Sequence, residues 1–316
     1  MRVVVTGGAG YIGGQTVLQL LDRGHSVFAI DRSLEVNPLQ DCRAKWLTAD
    51  FAGEVALSNI KTFQPDAIIH CAGTSLVGPS MMNPAEYYNN NFVQTKMLCD
   101  FLVKEKIKTR LIFSSSAATY GNPIMTPCQE VDPAEPISPY GESKLMTEWM
   151  LRSYQHAYGL DYVAFRYFNA CGADSQTRHG QRSGATHIIA RVLEALRDNT
   201  GAFVLNGTDF ETEDGTCVRD YIHVEDLADA HILAIDSKIP SDVYNLGTNQ
   251  GYSNLQIIHG AIKVTKQDLT YNTGPCRPGD PAMLTADASK FMAVSGWQPQ
   301  WGLEDILRHA WTWYTR

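Results

Sequence analysis

Positive charge is scarce in this sequence. The 26 lysines and arginines stand against 34 aspartates and glutamates, which gives the chain of 316 residues a net charge of −8. Nucleic acid is a polyanion and requires a basic protein surface, so we expect no nucleic-acid partner. The balance is still compatible with one small anionic ligand held by a few local arginines.

Metal-binding and redox motifs are also missing. The 7 cysteines are scattered, with no C-x-x-C pair and no histidine-rich segment beside them, at positions 42, 71, 99, 128, 171, 217 and 276. This distribution gives no support to a zinc site or to any other metal site. It suits reduced thiols, so we expect a cytoplasmic protein.

Long apolar runs are absent as well. No run of apolar residues reaches the length of a membrane-spanning helix. We also expect no targeting leader, because the first predicted strand begins at Arg2. The sequence therefore predicts a protein that has no membrane partner and stays in the cytoplasm.

Apolar runs alternate with helical patterns over the first half of the chain. The predicted strands are continuous apolar runs, at 2–6, 26–30, 45–48, 67–71, 110–114 and 162–167. The helical patterns between them lie at 12–22, 53–63, 86–106 and 140–158. Continuous runs are typical of parallel strands that are covered on both faces. The alternation predicts a doubly wound parallel α/β sheet of the Rossmann type.

The regular alternation ends near Asn169. A polar, glycine-containing loop follows at 171–184, and shorter elements punctuated by proline and glycine come after it. We interpret 1–170 as a cofactor-binding domain and 171–316 as a smaller C-terminal α/β substrate lobe. Residues 222–247 are expected to return to the main sheet.

A glycine turn directly follows the first predicted strand. Gly7, Gly10 and Gly13 stand at i, i+3 and i+6, before a helical pattern. Strand, glycine turn and helix in this order bring backbone N–H groups and a helix N-terminus to a pyrophosphate. Asp31 ends the next strand, where a carboxylate binds the ribose hydroxyls of adenosine. Together these features predict dinucleotide binding.

A serine, a tyrosine and a lysine are spaced for proton transfer. The strand at 110–114 leads into Ser116, and Tyr140 and Lys144 follow Pro139 at the start of a predicted helix. Tyr140 and Lys144 are four residues apart and share one helical face. An ammonium beside a phenol favours phenolate, so Tyr140 is expected to act as a base near neutral pH. Ser116 is expected to hydrogen-bond the substrate and pass on a proton.

These residues, taken together, resemble the UDP-galactose (UDP-glucose) 4-epimerase family of extended short-chain dehydrogenases. The similarity runs nearly end to end, and its most specific parts are the segments at 213–224 and 277–280. The other matching segments include Gly-Gly-Ala-Gly-Tyr-Ile-Gly, His70-Cys71-Ala72-Gly73, Tyr87-Tyr88-Asn89-Asn90-Asn91, Ser-Ser-Ser-Ala, Tyr-Gly-Glu-Ser-Lys and Arg166-Tyr167-Phe168-Asn169.

The resemblance implies a set of ligand contacts. NAD is expected as cofactor, bound by Gly7, Gly10, Tyr11, Ile12, Gly13, Asp31, Asp50, Phe51, Cys71, Ala72, Gly73, Asn91, Ser114, Tyr140, Lys144 and Phe168. A UDP-sugar is expected as substrate, bound by Ser116, Tyr140, Asn169, Arg219, Arg277 and Asp280. The two arginines are expected to clamp the diphosphate, since a guanidinium fork fits phosphate geometry.

The family resemblance also implies a reaction and an assembly. Tyr140 would take the proton of the sugar's 4-hydroxyl, C4 would give a hydride to NAD, and the 4-keto sugar would turn and take it back on its other face. Homodimers of this family pair through two helices of the cofactor domain. Here apolar positions in 92–103 and 146–157 could serve that contact or could all face the sheet.

Four functions compete with UDP-glucose epimerisation as interpretations of this sequence. Sugar 4,6-dehydratases of this fold carry acidic residues where this chain has Ala117 and Ala118, which disfavours dehydration. Free NADPH is disfavoured because Asp31 repels a 2′-phosphate, although Arg32 weakens that argument. Epimerisation of another UDP-sugar, or an NAD-binding role without catalysis, stays open.

Two positions depart from the family pattern. Ser75 stands where many relatives carry a lysine, and Leu284 falls where a residue controls space beside C2 of the sugar. The intermediate size of the Leu284 side chain does not decide whether an N-acetyl group on C2 of the sugar would fit. His70, at the end of an apolar strand, is predicted to be a core histidine and not a catalytic group.

Overall fold

Seven parallel strands form the central sheet of the protein. The computed structural model describes residues 1–33, 41–198, 203–276 and 280–316. The strands of this sheet are β1 (Arg2–Thr6), β2 (Ser26–Asp31), β3 (Lys45–Thr48), β4 (Ala67–His70), β5 (Arg110–Ser116), β6 (Tyr162–Tyr167) and β10 (Asp242–Leu246). Their order across the sheet is β10-β6-β5-β4-β1-β2-β3. This is the doubly wound α/β architecture that the alternation predicts.

Both faces of the sheet are covered, which explains the continuous apolar runs. Along β1, Val3 and Val5 belong to one buried cluster and Val4 belongs to the cluster on the opposite face. The covering helices are α1 (Tyr11–Asp22), α2 (Glu54–Phe63), α5 (Gln94–Lys104), α6 (Pro139–Tyr158) and α8 (Val224–Leu233). Alternate side chains of a strand point to opposite faces. Every side chain of β1 after Arg2 is therefore buried and has to be apolar or have its hydrogen bonds satisfied.

The helical segment predicted at 86–106 is not one regular helix. It consists of α4 (Pro84–Tyr87), a π-helical turn (Tyr88–Val93) and α5, and a short helix α3 (Val77–Met82) precedes it. A π turn widens the helix and re-aims its side chains. Here it directs the side chains of Asn90 and Asn91 onto Thr74. A 3₁₀ turn at Ala117–Tyr120 follows β5 at the same edge of the sheet.

A smaller lobe lies beyond the carboxyl ends of the strands. One of its sheets consists of β7 (Asn169–Cys171), β9 (Val218–His223), β11 (Gly251–Ser253) and β13 (Met283–Leu284), and another pairs β8 (Phe203–Asn206) with β12 (Tyr271–Gly274). Its helices are α7 (Ile188–Asp198), α9 (Asn254–Thr265) and α11 (Leu303–Tyr314), whereas α10 (Ser289–Ser295) packs against β10 of the main sheet. The predicted boundary near residue 170 falls within β7.

The returning segment of the chain joins the main sheet. Strand β10 pairs with β6 in parallel, with Tyr244 opposite Phe165. Among the described residues, no helix is both long and apolar enough to cross a membrane.

Candidate active site

In the glycine turn after β1, the backbone of the turn lies very close to the start of α1 and to the segment that follows β4. Gly7 has φ +71°, and a Cβ there would lie 2.7 Å from the amide nitrogen of Ala72. A Cβ at Gly13 would overlap the carbonyl oxygen of Gly7. Only glycine tolerates these positions, because any side chain would push α1 away from the turn. The turn therefore keeps the N-terminus of α1 open to a ligand, as a pyrophosphate site requires.

A cavity of about 220 Å³ opens beside this turn. Seven of the predicted cofactor residues line it, and they are Gly7, Gly10, Asp31, Phe51, Cys71, Ala72 and Gly73. Arg32, Asn90 and Gln94 line it as well. A cleft at the carboxyl ends of the strands, with a glycine turn at one end and a carboxylate beside it, fits NAD.

The two acidic residues predicted to bind the adenosine end are held in place. Asp31 accepts a hydrogen bond from the backbone N–H of Ala9 through Oδ2, at 3.0 Å. Asp50 accepts hydrogen bonds from Gln94 Nε2, at 2.9 Å, and from the backbone N–H of Ala52. Asp31 lines the cavity directly, whereas Asp50 reaches it through Gln94. The carboxylates are therefore fixed by the protein before a ligand arrives.

Other predicted cofactor residues connect the turn to its surroundings. The Tyr11 hydroxyl donates to the carbonyl of Gly172, at 2.7 Å, and so ties the glycine turn to the smaller lobe. Ile12 packs against the sheet core. The ring of buried Phe51 lies 4.7 Å from the ring of His70, and the Ser114 hydroxyl donates to Cys71 Sγ at 3.4 Å.

Asn91 organises the segment after β4. It is buried, its Oδ1 accepts from the N–H of Thr74, and its Nδ2 donates to the Thr74 carbonyl and to the Ser143 hydroxyl. A Cβ on Gly73 would lie 2.8 Å from Asn91 Oδ1, so this approach also requires glycine. Asn91 therefore joins the loop after β4 to α6, the helix that carries the tyrosine and lysine.

His70 is a core histidine, as predicted. It is fully buried, and its two ring nitrogens lie 2.6 Å from Thr6 Oγ1 and 2.9 Å from Thr95 Oγ1. Burial lowers the pKa of His70 to about 3, so the ring is neutral.

Tyr140 and Lys144 are placed by the start of α6. Ser138 caps the helix by accepting from the N–H of Gly141, at 3.2 Å, and Pro139 occupies the first turn. Lys144 Nζ donates to the carbonyl of Ser114, at 2.7 Å, and lies 5.9 Å from the centroid of the Tyr140 ring. The serine, tyrosine and lysine predicted from the sequence therefore meet at the end of β5.

Burial shifts the pKa values of both Tyr140 and Lys144 toward the neutral forms. Burial raises the pKa of Tyr140, and a hydrogen bond with Ser116 opposes that rise. Burial also lowers the pKa of Lys144, to about 8. Desolvation is the largest influence on both groups, because burial disfavours the phenolate as well as the ammonium. Ser116 is a neighbour that favours the phenolate.

Three of the predicted substrate residues line a second cavity, of about 190 Å³. Asn169, Arg219 and Asp280 contribute to its wall. Asn169 Nδ2 donates to the carbonyl of Asp220, at 3.2 Å, and Arg219 donates to Asp280 Oδ1, at 3.1 Å. Arg277, the other predicted clamp, lies outside the described residues.

Phe168 and Leu284 lie in a small apolar cluster beside the catalytic group. Phe168 is buried with Ala117 and Tyr120, and Leu284 packs against this cluster. Ala118 donates its backbone N–H to Ser116 Oγ, at 3.1 Å. Because the two residues after Ser116 are alanines, they place no carboxylate beside it. Within the described residues, no group of histidine, cysteine and acidic side chains is arranged to hold a metal ion.

Four polar residues of the cavity walls are not among those predicted from the sequence. Gln94 lines the first cavity, and Arg191, Asn206 and Asn254 line the second. For Gln94 a signal existed, since it follows Asn91 by three residues on the same helical segment. The others come from elements distant in sequence, and only the folded chain brings them together.

The fold and this site define a class of protein. A glycine turn on a doubly wound sheet, with serine, tyrosine and lysine at the end of β5, is the arrangement of a dinucleotide-dependent enzyme acting on a hydroxyl or carbonyl group. The chain belongs to the NAD dependent epimerase/dehydratase family, whose model matches residues 3–247.

Relatives and solved structures match over the whole length. UDP-glucose 4-epimerase from Halalkalibacterium halodurans is 41% identical over 99% of this chain and 96% of its own. UDP-glucose 4-epimerase from Bifidobacterium longum, solved with NAD+ and UDP, has a TM-score of 0.91 at 36% identity and covers 100% of this chain and 98% of its own. The enzyme from Stenotrophomonas maltophila, with bound NAD and formylated UDP-arabinopyranose, has a TM-score of 0.94 at 31% identity and covers 100% and 98%.

Proposed function

We propose that the protein is an NAD-dependent UDP-glucose 4-epimerase, which interconverts UDP-glucose and UDP-galactose and so serves galactose metabolism. The observation that carries the proposal is the link between the cofactor cavity and the catalytic group. Cys71 lines that cavity and contacts Ser114, and the Ser114 carbonyl holds Lys144 one helical turn from Tyr140. Full-length relatives that carry this activity support the same conclusion.

The residues of the chain supply binding, orientation and proton transfer. NAD, when bound, supplies reversible hydride transfer at C4 of the sugar, and the overall reaction is redox-neutral. Tyr140 takes the proton of the 4-hydroxyl and returns it after the sugar has turned. Ser116 holds the phenol by a hydrogen bond, and Lys144 is held on the backbone of β5. Binding at the UDP end leaves the sugar free to turn.

The alanines after Ser116 favour epimerisation over dehydration. Elimination of water from the 4-keto sugar requires an acid next to the reacting carbons. Ala117 is buried and Ala118 follows it, so neither position supplies a proton. The 4-keto sugar is therefore expected to be reduced again and not dehydrated.

An assay of the purified protein with UDP-sugars tests the proposal. UDP-glucose, UDP-galactose, UDP-N-acetylglucosamine and UDP-xylose are incubated without added NAD, and the products are separated by chromatography. We expect interconversion of UDP-glucose and UDP-galactose, because the cofactor copurifies and is regenerated in each turnover. Faster conversion of another pair would reassign the substrate, and no conversion of any pair even with added NAD would refute the proposal.

We also propose that the protein is a cytoplasmic homodimer. Val93 and Met97, on the π turn and α5, and Trp149 on α6 expose 43, 47 and 52% of their surface. These helices contact one another in the monomer.

Free thiols at all 7 cysteines support a reducing compartment. A net charge of −8 supports the absence of a nucleic-acid partner. Fractionation of cells would test the location.

A further inference from the structure

The second cavity contains an arginine that the predicted substrate set does not include. Arg191 lies on α7, and its backbone N–H bonds the carbonyl of His187 at 3.2 Å. Both residues line the cavity of about 190 Å³ together with Arg219 and Asp280. On the opposite face of α7, Ile189, Val192 and Leu193 are buried in the lobe core. The amphipathic pattern of α7 thus turns Arg191 toward the cavity.

The Arg191 guanidinium has no counter-ion among the described residues. Its side chain is partly buried, and no carboxylate in the described part of the chain forms an ion pair or a hydrogen bond with it. A partly buried charge without a partner is unfavourable, and proteins retain one where a ligand supplies the opposite charge. Such a position is expected of a ligand-binding arginine and not of a structural one.

The neighbouring groups of the cavity leave this charge uncompensated. Arg219 already donates to the Val218 carbonyl, at 2.8 Å, and to Asp280. His187 is neutral, because burial lowers its pKa to about 4, and its Nε2 contacts Gln181 Oε1. Of the described charges in the wall, Arg219 is balanced by Asp280 and Arg191 is left over. The cavity therefore selects for an anionic ligand.

We propose that Arg191 is a further arginine that binds the diphosphate of the UDP-sugar, in addition to the predicted pair Arg219 and Arg277. The Arg191 guanidinium presents a planar fork of donors that fits phosphate oxygens, and a diphosphate carries enough negative charge to engage more than one arginine. The identity of the nucleotide rests on the proposed function, whereas the need for an anion rests on the cavity itself. Arg191 contributes affinity for the nucleotide handle and takes no part in proton transfer.

Binding of UDP and of uridine to the purified holoenzyme tests this role. Isothermal titration calorimetry compares the wild type with Arg191→Gln, Arg191→Lys and the control Arg197→Gln. Arg197 lies on the same helix, but it pairs with Asp198 and does not line the cavity. Arg191→Gln is expected to weaken UDP binding by about 10- to 100-fold and to leave uridine binding unchanged, since the lost contact is a charged hydrogen bond to phosphate.

The other two variants have defined expectations. Arg191→Lys is expected to keep part of the UDP affinity, because it retains the charge but loses the fork. Arg197→Gln is expected to bind UDP like the wild type. Retained NAD and an unchanged thermal midpoint establish that the Arg191 variants are folded. In the epimerase assay, Arg191→Gln is expected to raise KM for the UDP-sugar and leave kcat within about 2-fold, as loss of uniform binding does.

Three results would overturn the proposal. Unchanged UDP affinity in Arg191→Gln would show that the guanidinium does not touch the ligand. Equal losses for UDP and uridine would move the contact from the phosphates to the nucleoside. Because binding is measured without turnover, a wild type that binds UDP through Arg191 yet converts no UDP-sugar would refute only the proposed function. A wild type that binds neither ligand would refute the role of Arg191.

Discussion

Tyr140 is subject to two opposing influences. Burial favours the neutral phenol and raises its pKa, while the hydrogen bond with Ser116 favours the phenolate. Lys144 is itself desolvated, and its Nζ is committed to the Ser114 carbonyl. The proton balance of the site is thus set by burial first and by Ser116 second. A positive nicotinamide, when present, adds a charge that favours the phenolate.

Replacement of the phenol tests this assignment. Tyr140→Phe removes the proton acceptor but retains the ring, so kcat is expected to fall by about 10²- to 10⁴-fold while NAD remains bound. Wild-type kcat is expected to rise with pH, since the active form is the phenolate and burial has raised its pKa. Steady-state assays across pH, with the NAD content measured spectroscopically, check both points.

A matched control separates loss of the base from loss of packing. Tyr154→Phe removes a phenol from the same helix, where its hydroxyl donates to Asp100 on α5 away from the catalytic group. This variant is expected to keep wild-type turnover. Comparable turnover in Tyr140→Phe and the wild type would remove Tyr140 from the mechanism.

At this scale the sequence predicts some site residues and not others. Gly7, Gly13 and Asp31 follow from short-range spacing, because the strand, turn and helix that carry them are contiguous. The pKa of Tyr140 does not follow, since spacing reports the proximity of Lys144 but not the desolvation of both groups. Arg191 does not follow either, because its significance depends on Arg219 and Asp280, which come from remote segments.

The helices α5 and α6 illustrate how one element can serve two contacts. The apolar positions suggested for a dimer, in 92–103 and 146–157, differ in exposure. Leu98, Leu102 and Met150 are buried in the monomer. Val93, Met97 and Trp149 are exposed. Exposed apolar side chains do not favour solubility, and a second copy of the chain would cover these three.

Charged substitutions on this helix pair test the dimer. Met97→Asp combined with Trp149→Asp is expected to yield a monomer, because two buried carboxylates without partners oppose association. Sedimentation velocity measures the mass of the wild type and of the variant. Val55→Asp is the control, since Val55 is exposed on α2 and belongs to neither helix of the pair. A wild type that sediments as a monomer, or a double variant that remains dimeric, would contradict the proposal.

The π turn at Tyr88–Val93 is the clearest difference between predicted and observed elements. Apolar periodicity assumes 3.6 residues per turn, so it cannot detect a wider turn inside a helical segment. The π turn coincides with polar contacts inside the protein, because Asn91 forms hydrogen bonds with Thr74 and Ser143 instead of facing solvent. An asparagine run within an apolar helical pattern was therefore the visible sign of a functional irregularity.

Across the whole molecule, the sheet was predictable and the lobe was not. The strands of the sheet are buried on both faces, which leaves a strong apolar signal in runs such as Val3-Val4-Val5. The lobe contains short strands such as Met283–Leu284, whose side chains are exposed or half-buried and leave no comparable pattern. The cavity with the glycine turn lies on the predictable part, and the cavity proposed for the UDP-sugar is lined mostly by residues of the lobe.

The most direct test of C4 epimerisation on retained NAD follows a deuterium label at C4 of the sugar. UDP-glucose deuterated at C4 is converted by the protein in ordinary water, and the product is analysed by mass spectrometry and NMR. UDP-galactose is expected to retain the deuterium at C4, because the hydride stays on the bound cofactor and Tyr140 exchanges only the hydroxyl proton. Loss of the label to water, or its appearance at another carbon, would contradict C4 epimerisation on retained NAD.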